Sequence, residues 1–188
     1  VEKAEKASVR ARLLAGRKAR TPDALDSARR AVADVVLSRA RRAGWRTVAA
    51  YVPMRTEPGS TELLTGLRDL GLRVIVPVLL PDNDLDWTDW GSATPLGPAA
   101  IAVVDAVLVP ALAISVDGHR LGRGGGSYDR ALARVAPSIP VVALLFDGEV
   151  LPSLPADPWD RPVSAAVTPS GWVDVVPGDG NTAVGGDR

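Results

Sequence analysis

Cysteine is absent from the 188 residues, so the chain can hold no disulfide and no thiolate metal site, and it fits a reducing cytoplasm. An excess of one charge is absent too. Lys and Arg total 22, as do Asp and Glu, so neither nucleic acid nor an anionic membrane is attracted to the chain as a whole. Any anion must therefore be bound locally. No run approaches the roughly 20 apolar residues of a membrane span, and the charged opening Val1-Glu2-Lys3-Ala4-Glu5-Lys6 lacks the apolar centre of a signal peptide. No internal repeat is visible. Histidine is reduced to His119, which leaves little room for chemistry built on imidazole. These absences describe a cytoplasmic protein acting on small molecules, with a monomer as the expectation.

What is present reads as one α/β domain. Residues 1–176 suit a single compact unit, and the Gly- and Asp-rich stretch Pro177 to Arg188 has too little apolar content to fold, so a disordered tail is predicted there. From Glu2 to about Arg20, Val9, Leu13 and Leu14 fall at helical spacings. Thr21 caps a second helix, Pro22 suits its first turn, and Leu25, Ala28, Val32, Val35, Val36 and Leu37 give it an apolar face before Gly44. Thr47 to Val52, Arg73 to Leu80, Ala106 to Val109, Val141 to Phe146 and Ala165 to Thr168 are nearly continuous in apolar residues, the pattern of strands buried on both faces. With helices predicted over Thr61 to Leu70 and Tyr128 to Val135, the chain reads as a three-layer sandwich around a mostly parallel, Rossmann-like sheet.

Chemistry concentrates in Gly118-His119-Arg120-Leu121-Gly122-Arg123-Gly124-Gly125-Gly126-Ser127-Tyr128-Asp129-Arg130. The glycines let backbone approach an anion closely, Arg120 and Arg123 supply guanidinium forks that match phosphate oxygens, and a helix start offers free N–H groups. The run is neither a Walker loop nor a dinucleotide fingerprint, and glycine spacing alone would equally suit a surface turn. Lys6 and Arg10, four apart on a helix, would by spacing be solvated charges. Glu57 could be a carboxylate beside a helix dipole. Glu57 and the glycine loop both follow predicted parallel strands, however, where open α/β sheets bind their ligands.

The string Arg120 to Arg130 resembles the signature of the 5-formyltetrahydrofolate cyclo-ligase family. Lys6-Ala7-Ser8-Val9-Arg10 is similar to that family's amino-terminal phosphate-binding motif, and Val52-Pro53-Met54-Arg55-Thr56-Glu57-Pro58-Gly59-Ser60 to the stretch whose glutamate contacts folate. The resemblance runs from about Lys6 to Gly171. It implies ATP- and magnesium-dependent conversion of 5-formyltetrahydrofolate to 5,10-methenyltetrahydrofolate, with ADP and phosphate released. By the same resemblance Lys6, Arg120, Arg123 and Tyr128 would be catalytic. Lys6, Arg10, Arg120, Leu121, Gly122, Arg123, Gly124, Gly125, Gly126, Ser127 and Tyr128 would bind ATP. Val52, Glu57 and the run Arg123, Gly124, Gly125, Gly126 and Ser127 would bind folate, and Asp129 would hold magnesium. This chemistry has no need of His119.

Three departures from the family pattern stand out. Ser127 replaces a tyrosine, Ser164 stands where the family's second magnesium carboxylate is placed by counting back from the last strand, and the segment Asp89 to Gly97 is short. They motivate an alternative, a cyclo-ligase-like module that binds nucleotide or folate without efficient turnover. A sugar-phosphate isomerase of similar sheet architecture is a third reading. Of the tryptophans, Trp87 and Trp90 are candidates either for packing or for stacking on a pterin.

Overall fold

The computed structural model describes residues 2–155 and 160–175. The predicted tail lies outside them. Two helices open the fold, α1 (Glu2–Lys18) and α2 (Pro22–Ala43). Thr21 Oγ1 accepts from the Ala24 N–H at 3.3 Å, and Gly44 ends α2 in the left-handed conformation, φ 67°, its N–H turned back to the last carbonyls. There follow β1 (Thr47–Ala49), α3 (Thr61–Asp69), β2 (Arg73–Leu79), β3 (Leu85–Asp89), a 3-10 helix at Pro98–Val103, and β4 (Ala106–Pro110). The remaining elements are β5 (Ala113–Ser115), β6 (Arg120–Leu121), α4 (Ser127–Leu132), β7 (Val141–Leu144), β8 (Val150–Leu151), β9 (Ala165–Thr168) and β10 (Gly171–Asp174).

Seven strands form the main sheet in the order β10-β9-β7-β4-β1-β2-β3. The five inner strands run parallel, and β3 and β10 close the edges as antiparallel partners of β2 and β9. Alternation along the inner strands sends side chains to two cores. Val48, Leu108, Val142 and Leu144 meet Val32, Val36, Leu63 and Leu67 of α2 and α3 on one face. Ala49, Val107, Val109 and Ala143 meet Ile101, Trp87, Ala131 and Leu132 on the other. The three layers expected from the apolar runs are therefore present.

The five predicted strands are found; β1, β2 and β7 end earlier than expected, β4 runs one residue further to Pro110, and β9 keeps its bounds. After Ala49 and Leu144 the chain leaves the regular sheet, and Tyr51 and Val52 go on to line a cleft. The strands that sequence reading passes over are the two edge strands, β3, with Asp86, Thr88 and Asp89 among its five residues, and β10, and the two- and three-residue strands of a second sheet, β6-β5-β8. That small sheet carries α1, through Val9 and Leu13 packed on Ala113, Leu121 and Leu154. Among the described residues no helix is long and apolar enough to cross a membrane.

Candidate active site

A cleft of about 520 Å³ opens at the carboxyl ends of β1 and β4, and Lys6, Arg10, Glu57, Asp129 and the whole run Arg120 to Tyr128 line it. Residues from opposite ends of the chain meet here. α1 presents Lys6 and Arg10, spaced one helical turn apart. The Lys6 ammonium stands 3.3 Å from Asp160, across 154 residues of sequence, with both side chains largely buried. Arg10 Nε donates to the Gly122 carbonyl at 2.9 Å, tying the helix to the glycine loop.

The loop itself is held by its arginines. Arg120, its side chain 6% exposed, donates to the Pro110 carbonyl at 3.3 Å and to Asp129 at 3.1 Å. Arg123 is more open and lies 3.5 Å from Glu57. The Glu57 carboxylate, buried, also accepts from the Met54 N–H at 2.8 Å, while Arg29 Nε donates to the Glu57 carbonyl at 3.0 Å. The β1-to-α3 turn is thereby closed on itself and its one carboxylate aimed at the loop. Val52 and Met54 stand half-exposed on the same rim, and Pro77, Leu79 and Leu85 give the cleft an apolar wall.

Two phenols complete the lining. The hydroxyls of Tyr51 and Tyr128 are buried with no hydrogen-bond partner among the described residues. Burial, with Glu57 nearby as a lesser cause, pushes both above the usual tyrosine range, so each stays protonated and can donate. Sequence reading had singled out Tyr128 and missed Tyr51, whose position at the end of a strand looked like core.

Among the loop glycines the steric demand is uneven. Gly124 and Gly126 sit at φ 107° and 72°, which L-residues rarely adopt, and a Cβ on Gly122 would lie 2.7 Å from Arg120 Nη1. Gly125 has no positive φ, and a Cβ there would meet only Ser127 Oγ at 3.7 Å. If the loop holds the nucleotide as the resemblance implies, Gly124→Ala is expected to weaken that binding on the order of tenfold, from about 1–2 kcal/mol of backbone strain, while Gly125→Ala stays close to the parent. Calorimetric titration with ATP of both variants checks this. The helix after the loop, α4, is only 6 residues long, so the loop's arginines carry more of the charge than its dipole does.

One sequence assignment is corrected. Ser164 does not line the cleft: its hydroxyl accepts from the Val141 N–H at 3.0 Å and donates to the Val141 carbonyl at 3.2 Å. That bond lies at the amino-terminal start of β7 and β9, the opposite end of the strands from the cleft. Besides Glu57 and Asp129, the carboxylate that lines it is Asp160, four residues before Ser164. With that, one motive for the reading without turnover falls away. Stacking of a pterin on tryptophan is not supported either. Trp87 is fully buried under the 3-10 helix, and Trp90 packs below Arg68 at 4.5 Å, both away from the cleft lining. His119 also stands apart, its Nε2 3.5 Å from Asp117, and its N–H donating to Ser115 Oγ at 3.0 Å.

The sequence profile of the 5-formyltetrahydrofolate cyclo-ligase family matches residues 2–169. The chain belongs to this family. A cyclo-ligase of Mycolicibacterium smegmatis is 41% identical over 143 residues, 66% of this chain and 74% of that protein. The cyclo-ligase of Escherichia coli K12 is 29% identical over 146 residues, 66% of this chain and 78% of that protein. Among solved structures, a 5,10-methenyltetrahydrofolate synthetase from Mycoplasma pneumoniae superposes with a TM-score of 0.76 at 22% identity, covering 88% of this chain and 99% of that one. Another from Aquifex aeolicus gives 0.71 at 25% identity, with 90% and 92% covered. The cyclo-ligase fold thus extends over nearly all the described residues, and the cleft lies where open α/β sheets hold their ligands.

Proposed function

We propose that the cleft carries the ATP-dependent closure of 5-formyltetrahydrofolate to 5,10-methenyltetrahydrofolate, with ADP and phosphate released. The observation that carries this is the company of groups in one cleft: four cations, Lys6, Arg10, Arg120 and Arg123, around a glycine loop, with Glu57 facing them from the neighbouring strand end. Transfer of the γ-phosphoryl group demands placement and neutralisation of charge more than covalent help from the protein. Lys6, Arg10, Arg120 and Arg123 supply that charge, and the loop backbone supplies N–H donors. Glu57 accepts from the polar N–H edge of the folate ring, and the apolar wall of Pro77, Leu79 and Leu85 takes its flat face.

In this reading the formyl oxygen attacks the γ-phosphorus, and the bond from that phosphorus to the ADP oxygen breaks. N10 then adds to the activated formyl carbon, the C–O bond to phosphate breaks, and the N10 proton is lost as the methenyl bridge forms. The buried Tyr128 hydroxyl donates toward oxygen on which negative charge collects, and the walls keep water from intercepting the activated carbon.

The donor set also suits a magnesium ion. Asp129 and Asp160 are hard oxygen donors lining the same cleft, and that ion is content with one or two carboxylates plus phosphate oxygens. When bound it would neutralise charge on the phosphates. Asp129 and Asp160, now paired with Arg120 and Lys6, would hold it while those two cations turn to the phosphates.

Purified protein mixed with ATP, magnesium and 5-formyltetrahydrofolate is expected to develop the near-ultraviolet absorbance of the methenyl product, with one ADP formed per turnover. ATP hydrolysis without that absorbance, or tight binding of both substrates without product, would sink this reading in favour of a binding module.

A further inference from the structure

From the geometry of a buried ion pair outside the cleft lining, Arg17 with Glu149, we infer that it is the positioning device of the nucleotide clamp, an inference that rests on the ATP site proposed above. Lys6, Arg10, Leu13 and Arg17 follow one another at intervals of four, three and four, a single stripe along α1. The upper part of the stripe enters the cleft. Its lower end, Arg17, plunges into the protein and is 3% exposed, against 5% for Glu149.

The pair is fully bonded. Arg17 Nε and Nη2 donate to the two Glu149 oxygens at 2.8 and 2.7 Å, and Nη2 donates also to the Ala111 carbonyl at 2.7 Å. Glu149 Oε2 accepts in addition from the Phe146 N–H at 2.8 Å, and the Phe146 ring lies 5.4 Å under the guanidinium. Ala111 itself lines the cleft, and the carbonyl before it, Pro110, is held by Arg120. Two arginines therefore grip consecutive carbonyls at the end of β4, one from the loop and one from α1.

Stability alone gives little reason for such a pair, because apolar side chains of equal volume generally hold a buried position at least as well as an ion pair does. What a bidentate fork adds is direction. The contacts of Val9 and Leu13 with the small sheet are non-directional, and the polar ties of α1 at Lys6 and Arg10 lie on the cleft side. The fork adds a directional anchor at the other end of the helix, which with those ties sets its rotation and register. Lys6 lies eleven residues up the helix, roughly 16 Å away at 1.5 Å per residue, so a tilt of a few degrees at Arg17 displaces the ammonium by about 1 Å. Misplacement on that scale can cost on the order of a hundredfold in a positioned reaction.

The test replaces the pair by apolar residues, Arg17→Met with Glu149→Leu, and reads stability, the KM of each substrate and the Kd for ATP without folate. The expected result is a protein that unfolds at the parent's denaturant concentration, keeps its KM for 5-formyltetrahydrofolate within twofold, and binds ATP at least tenfold more weakly. A merely structural pair would move stability and leave the two substrates alike; a folded double variant with the parent's ATP affinity overturns the inference. Should the double variant not fold, Arg17→Lys, which keeps the charge and loses the fork, takes its place, with ATP binding weakened at least threefold as support and parental affinity as refutation. A parent that binds ATP but makes no methenyl product counts against the proposed reaction alone, whereas a parent that binds no ATP removes both.

Discussion

Turnover is expected to vanish in Asp129→Ala and to need much more magnesium in Asp160→Asn, while Ser164→Asp changes neither rate nor metal requirement. The ranking follows from where the three side chains stand. Asp129 lies in the cleft against Arg120, whose side chain is 6% exposed, so its loss takes away a hard oxygen donor and leaves a buried guanidinium without its anion. Asp160 shares the cleft and faces Lys6 at 3.3 Å. Asparagine there keeps an oxygen and gives up the charge, and loss of a charge-assisted contact is worth about 1.5–3 kcal/mol, or roughly tenfold to a hundredfold in the half-saturating metal concentration. Ser164 is bonded to Val141 at the far end of the strands, where a new carboxylate cannot reach the phosphates. Magnesium titrations at fixed ATP compare the three variants with the parent. A lowered requirement in Ser164→Asp, or an unchanged one in Asp160→Asn, would show that the metal lies elsewhere.

The largest effect on stability is expected from Glu149→Leu alone. It strands the Arg17 charge among Phe146, Ala111 and the underside of α1, with nothing to compensate it. Removing one partner of a buried ion pair costs about 3–5 kcal/mol, a large share of the roughly 5–15 kcal/mol that holds a domain folded. Urea unfolding followed by tryptophan fluorescence measures it. The matching control is Arg73→Ala, which breaks the pair with Asp89 on the sheet edge, where the side chains are 52% and 43% exposed. Solvent screens that pair, so its loss should cost no more than about 1 kcal/mol. Equal destabilisation by both variants would mean that the buried pair is not what anchors α1.

The layers of this fold could be read from the chain because burial on both faces leaves a trace in composition. Val48, Val74, Val107 and Val142 belong to runs that no exposed strand would carry, and Thr21, Pro22 and Gly44 mark the limits of α2 by local hydrogen bonding alone. The glycine loop was legible for a similar reason: Gly124 and Gly126 are required by their own backbone angles. What could not be read is what depends on distant partners. Nothing local distinguishes Arg17 from the other arginines of α1, nor Tyr51 from a core aromatic. Asp160 was missed because its role comes from proximity to Lys6 across 154 residues. β5, β6 and β8 are too short for any periodicity to emerge.

The separation of Arg17 from Glu149 by 132 residues also bears on the protein's birth. During synthesis α1 is made well before its counterpart, which follows β7. At about 5–20 residues per second, the helix waits on the order of ten seconds with its charged stripe unanswered. The seating of α1 thus waits until β7 has been made. A nascent chain halted after β7 would carry four of the five inner strands of the sheet but would lack Glu149, the partner that seats Arg17 of α1.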